Sequence, residues 1–211
     1  MPPNESGGQG GAGADGASMT WVSVQTERLV LRPFAAGDGP AFHEYMSDSE
    51  VARYTSLLPI SLEQAQEMVE NIAGAQAASD APPLAFVITL RGDGLLIGNC
   101  RLKRDRDDPS EADIAYFLNR RYWGRGYATE TVRALIDYGF GTLGLRRTFG
   151  LCVPENVASR RVMEKAGMKA EESLTFYAEQ GHFYRGEFRD LTYLRYAIHR
   201  PVQGEQLQDA G

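Results

Sequence analysis

The spacing of apolar and polar residues changes rhythm several times along this chain. From Thr26 to Arg32, Leu29 and Leu31 share one face and Arg28 and Val30 the other, the two-residue period of a strand, which Pro33 closes. Gly37-Asp38-Gly39-Pro40 then opens a helix through Ala41, Phe42, Tyr45 and Met46, with Asp38 as its expected cap and Pro40 in the first turn. Ser61-Leu62-Glu63-Gln64 has the capping-box pattern, and the residues after it carry a helical stripe of Leu62, Ala65, Met68, Val69 and Ile72. The apolar run Leu84 to Leu90, the turn Arg91 to Gly94 and the run Leu95 to Leu102 predict a hairpin, in which Gly98 marks a bulge or a close approach.

A polar loop from Lys103 to Ser110 separates that hairpin from a strand at Ala112 to Leu118. Ala128, Val132, Leu135, Ile136 and Gly139 fall on one face of a helix from Tyr127 to Phe140. A strand from Arg147 to Val153 ends at Pro154, and a helix from Asn156 to Ala166 follows, with Asn156 as N-cap and Gly167 just past its end. Strands around Met168 to Phe176 and Asp190 to Ile198 complete the order β-α-α-β-β-β-α-β-α-β-β, a mixed sheet with helices, α/β or α+β in class. Met1 to about Met19 is Gly-, Ala-, Ser- and Pro-rich and cannot bury enough surface to offset its chain entropy, so residues 1–20 and the similar 202–211 read as disordered tails around one domain, 22–201.

Composition narrows the function. The 211 residues are 43% hydrophobic and 24% charged, with a net charge of -6, which disfavours general nucleic-acid binding and is compatible with an amine substrate. Two cysteines, Cys100 and Cys152, exclude a disulfide scaffold, and neither has a neighbouring histidine that marks a nucleophile. His43, His182 and His199 sit in no ligand spacing, which argues against a structural zinc. There is neither a signal-peptide pattern nor a run approaching the ~18 apolar residues of a membrane span. These features predict a cytoplasmic, metal-free protein.

The segment richest in chemistry is Tyr116 to Glu130, where a strand runs through Gly124-Arg125-Gly126 directly into a helix. Glycines let a ligand approach backbone N–H groups, and the helix start adds free donors and a positive dipole end, a combination suited to phosphate or pyrophosphate. Arg121 and Arg125 extend the cationic reach. The Gly-Lys-Ser/Thr of a Walker loop is absent. A dinucleotide fingerprint needs a small residue where Thr129 stands and an acid for which Glu155 is the poor candidate, and the preceding hairpin disfavours a parallel doubly wound sheet.

The chain resembles the GNAT N-acetyltransferases, most closely their RimJ/RimL-like branch. The likeness rests on Thr26-Glu27-Arg28-Leu29-Val30-Leu31-Arg32, on Tyr122-Trp123-Gly124-Arg125-Gly126-Tyr127-Ala128-Thr129-Glu130, on Asn156 to Met168 and on Gly186 to Asp190, four matches in the family's order. The family loop, Gln/Arg-x-x-Gly-x-Gly/Ala, places Trp123, Gly126 and Ala128 at its fixed positions; Trp123 departs from the wider pattern but fits the branch. The resemblance implies a mixed, mostly antiparallel sheet splayed at its middle strands and flanked by about four helices. It implies acetyl-CoA as acetyl donor, with its pyrophosphate on the backbone of Gly124, Arg125, Gly126, Tyr127, Ala128 and Thr129. Pantetheine is then expected on the freed backbone of Phe117 and Leu118, with the Phe117 N–H facing the oxyanion, and on Asn156.

Many family members place a tyrosine acid where this chain has Met163, so the proton donor falls to Ser159, three residues after Asn156 on the same side of the helix, or to a water it holds. Asp113 aligns with an acidic position of the branch, and Glu111 lies on the same strand face, making both candidate bases. Tyr177, His182 and Tyr184 are expected around the acceptor. The implied reaction is direct acetyl transfer in a ternary complex to a primary amine, either a protein N-terminus or a small molecule. A non-catalytic acyl-CoA sensor and an NAD-dependent oxidoreductase are the alternatives. No nucleic-acid or membrane partner is expected, and the state is monomer or homodimer.

Overall fold

A computed structural model describes residues 22–55, 58–177, 179, 183–184 and 187–201. The expected tails, 1–20 and 202–211, lie outside the described residues. In chain order the strands are β1 (Val24–Gln25), β2 (Leu29–Arg32), β3 (Ala85–Leu90), β4 (Leu96–Arg104), β5 (Glu111–Leu118), β6 (Arg147–Cys152), β7 (Lys169–Phe176), β8 (Phe183–Tyr184), β9 (Glu187–Phe188) and β10 (Leu191–His199). The α-helices among the described residues are α1 (Gly39–Met46), α2 (Ser49–Ala52), α3 (Leu62–Ala77), α4 (Tyr127–Gly141) and α5 (Val157–Lys165). The single-turn α2 and the two-residue strands β1, β8 and β9 carry too short a pattern to be predicted.

Eight strands form one sheet in the order β1-β2-β3-β4-β5-β6-β10-β7, antiparallel throughout except between β5 and β6. Alternate residues of β3 feed two cores. Phe86 and Ile88 join Leu29, Leu31, Val132 and Leu135 under α4. Val87 joins Phe42, Tyr45, Ala65 and Val69 under α1 and α3. A strand buried on both faces reads as an unbroken apolar run, and Phe86 to Ile88 is one.

Gly98 proves to be both a bulge and a close approach. The β3–β4 register slips beside it, and a Cβ there would collide with the Phe117 carbonyl oxygen. The expected Asp38 cap is a correction: no side-chain hydrogen bond caps α1 from Asp38. Its carboxylate instead pairs with both terminal nitrogens of Arg32 (2.7 and 2.8 Å) and accepts from the Ala35 N–H (2.8 Å). A charged bidentate partner outcompetes a cap.

The two halves of the sheet meet along a short seam. β5 pairs with β4 from Arg104↔Ala112 to Gly98↔Leu118, but with β6 only at Glu111↔Arg147, Ala112↔Thr148 and Asp113↔Phe149. β6 remains paired with β10 from Arg147↔His199 to Cys152↔Leu194. From Ile114 onward β5 and β6 therefore diverge, as the splayed sheet requires. Met163 of α5, 2% exposed, packs at this divergence, its Sδ 2.8 Å from where a Cβ on Gly150 would sit.

Candidate active site

The loop between β5 and α4 starts with a tight turn. Asn119 accepts from the Arg121 N–H through its side chain (3.0 Å) and from the Tyr122 N–H through its carbonyl (2.9 Å). Gly124 and Gly126 adopt φ values of 75° and 82°, the left-handed region that glycine enters without strain. Gly126 is the residue before α4 and offers no side-chain cap. Among the described residues the amides of Gly124 to Thr129 donate to no other backbone group, and the first bond of the helix runs from the Glu130 N–H to the Gly126 carbonyl (3.1 Å). An aligned set of unpaired donors at a helix start is an anion site. Arg121 does not contribute to it as expected, because it pairs with Glu44 of α1 (2.7 Å), while Arg120 pairs with Asp48 (3.1 Å).

The opened edge of β5 lies beside this loop. The Asn119 N–H donates to Ile97 of β4 at 2.8 Å, and Phe117 stands opposite Asn99. Peptide groups alternate sides along a strand, so Phe117 faces β4 while Tyr116 and Leu118 face the divergence. This corrects the expectation for Phe117: its backbone belongs to the β4 ladder, and Tyr116 takes its place on the open edge. The Leu118 carbonyl accepts the Trp123 indole N–H (2.8 Å), so the unusual loop tryptophan bridges the edge to the glycine loop.

On the other wall, Asn156 caps α5 by accepting from the Ser159 N–H (3.1 Å). The Ser159 hydroxyl lies 2.7 Å from the Tyr116 hydroxyl, spanning the opening between α5 and β5. Burial pushes the Tyr116 phenol up to about 12, with the Ser159 hydrogen bond opposing. Sequence reasoning misses Tyr116 because only the side of the strand it occupies distinguishes it from an ordinary packed aromatic.

The two acidic candidates are not brought to this pair. Glu111 lies five residues before Tyr116, about 17 Å along a strand, in the part of β5 still closed on β6. Its carboxylate accepts from Arg146 (2.8 Å) and from Arg147, which also pairs with Glu171 (2.5 Å). Its role as base is therefore corrected to that of a structural ion pair across the seam. Asp113, about 10 Å before Tyr116 along the strand, lies 3.4 Å from Arg101. Burial raises its pKa against the pull of Arg101 and Lys103. Tyr177 is exposed; His182 and the side chain of Tyr184 lie outside the described residues.

Residues 28–169 match the model of the acetyltransferase (GNAT) domain. The chain belongs to the GNAT acetyltransferase family. The uncharacterized N-acetyltransferase p20 of Bacillus licheniformis is 33% identical over 156 residues, 74% of this chain and 86% of that protein. A GNAT-family acetyltransferase from Bacillus anthracis superposes with a TM-score of 0.71 at 30% identity, covering 84% of this chain and 98% of that one. The ribosomal L7/L12 alpha-N-protein acetyltransferase in complex with coenzyme A shares the fold, with a TM-score of 0.65 at 19% identity over 84% of this chain and 98% of its own. This GNAT protein is accordingly an acetyl-CoA-dependent acetyltransferase. Its uncapped loop, side-chain-free at Gly126, and its open β5 edge fit a long ligand that carries a diphosphate and peptide-like amides.

Proposed function

We propose that this GNAT protein moves the acetyl group of acetyl-CoA directly onto a primary amine, of a protein N-terminus or of a small molecule, with both substrates bound at once. The observation that carries this reading is the juxtaposition of the uncapped α4 start with the β5 edge at Tyr116 and Leu118, which no described strand pairs and where Trp123 holds the Leu118 carbonyl. The amides of Gly124 to Thr129 hold the diphosphate, and the β5 edge takes the pantetheine arm as an added strand. Acetyl-CoA supplies an activated thioester. The Tyr116 N–H is the donor suited to a developing oxyanion. The Ser159 and Tyr116 hydroxyls, in mutual hydrogen bond, return a proton to the departing thiolate. The amine gives up its proton to water.

Direct transfer is favoured over a cysteine-bound acetyl because both thiols are buried. Burial raises both pKa values, that of Cys152 to about 11, so neither is a thiolate at neutral pH. The fold shared with a ribosomal-protein acetyltransferase supports the N-terminal class of acceptor. A second reading, a non-catalytic acyl-CoA sensor, is favoured by Met163, a residue with no proton to give at the family's usual acid position. A thiol-release screen over peptide N-termini, lysine peptides, aminoglycosides and polyamines separates the two. Thiol release with one amine class is expected; acetyl-CoA binding without release on any amine establishes the sensor instead.

A further inference from the structure

Two segments about a hundred residues apart in sequence meet at one carboxylate on the first turn of α4. Glu130 accepts from the Thr26 hydroxyl (2.5 Å), the Arg28 N–H (2.9 Å) and the Arg28 Nε (2.7 Å), and pairs with Arg28 Nη2 at 2.6 Å. Burial opposes ionisation, but these donors together hold Glu130 below its usual range. The remaining terminal nitrogen, Nη1, donates to the Arg125 carbonyl at 3.0 Å, inside the glycine loop. The guanidinium also lies over the Tyr127 ring (4.7 Å), and Nη2 stands 3.4 Å from where a Cβ on Gly126 would be. Arg28 thus grips the loop from the side that a side chain on Gly126 would occupy.

The C=O and N–H of a trans peptide point in opposite directions. A carbonyl of Arg125 held toward Arg28 turns the N–H of Gly126 away from it. We propose that Arg28, fixed by Glu130 and Thr26, is a positioning residue that keeps the Arg125–Gly126 peptide with its N–H toward the bound diphosphate. Without Arg28 the peptide rotates freely and presents its carbonyl oxygen to the anion. The proposal rests on the acetyl-CoA reading of this loop.

The test is calorimetric titration of the full chain and of Arg28→Ala, Arg28→Lys and Glu130→Gln with acetyl-CoA, alongside S-acetylpantetheine, which lacks the diphosphate and is measured by competition. Arg28→Ala and Glu130→Gln are expected to bind acetyl-CoA at least about tenfold more weakly, with Arg28→Lys recovering part of the loss. Affinity for S-acetylpantetheine and the melting temperature without ligand should stay near those of the parent. Unchanged acetyl-CoA affinity in Arg28→Ala, or an equal loss for both ligands, overturns the proposal. If Arg28→Ala does not fold, Glu130→Gln decides by the same criteria. Failure of the parent chain to bind acetyl-CoA overturns the cofactor reading itself, whereas a binding parent with indifferent variants overturns only the positioning role.

Discussion

The two helices that flank the opening begin in opposite ways. α5 is closed by the Asn156 side chain, and the third amide of its first turn is already bonded. α4 begins after a left-handed glycine, and no described side chain closes it. The same backbone chemistry is satisfied by a side chain at one helix and left without one at the other. α3, capped reciprocally by Ser61 and Gln64 (3.2 and 2.8 Å), behaves like α5; α1 also lacks a side-chain cap, but it continues from a preceding helical turn and carries Pro40, which has no amide to satisfy. An uncapped start forgoes about 1 kcal/mol of helix stability, and binding of an anion returns it.

The contrast is broken most severely by Gly126→Asp. That change sets a carboxylate among the free amides at a backbone conformation disfavoured for other residues, and CoA affinity should fall by about a hundredfold or more in calorimetry. On the closed side, Ser159→Ala and Tyr116→Phe should each lower kcat by about tenfold to a hundredfold with little change in CoA affinity. The double variant should cost little more than either single change if the two hydroxyls act as one relay. Unchanged turnover in both single variants removes the pair from the chemistry. Removing the cap itself with Asn156→Ala should cost about 1 kcal/mol in denaturant unfolding, and Ser61→Ala a similar amount. Only the Asn156 variant should also disturb turnover, because only that cap holds Ser159.

The smallest effect concerns pH. The Tyr116 phenol, ordinarily at 10.0, is pushed to about 12 in the fold, so the unfolded chain loses this proton first. Its contribution to stability is complete below pH 10 and declines as the pH rises from about 10 to 12. Tyr116→Phe should flatten part of that alkaline loss, measured by urea unfolding at about pH 8 and about pH 11.

What the sequence discloses here is mostly what depends on near neighbours. The capping box at Ser61, the cap at Asn156, the turn from Arg91 to Gly94 and the terminating Gly167 all depend on residues within four positions, and each is present in the structure. The glycine loop is legible for the same reason. The misreadings all involve partners distant in sequence or a choice of strand side. Asp38 is claimed by Arg32 before it can cap α1. Which of Tyr116 and Phe117 faces the opening depends on the register with β4, which periodicity does not reveal. The grip of Thr26 and Arg28 on Glu130 joins two recognisable motifs that nothing local connects. Glu111 looks like a free acid until β6 and β7 bring Arg147 and Glu171 beside it.

Only three residue pairs hold β5 to β6. Each half-sheet keeps its own complete ladders, so the angle between them can be adjusted by replacing a few side chains along that narrow join. Arg147, buried between Glu111 and Glu171, ties the closed end of that join. Substitutions along that join should therefore change the width of the opening between β5 and β6 more than they change either ladder.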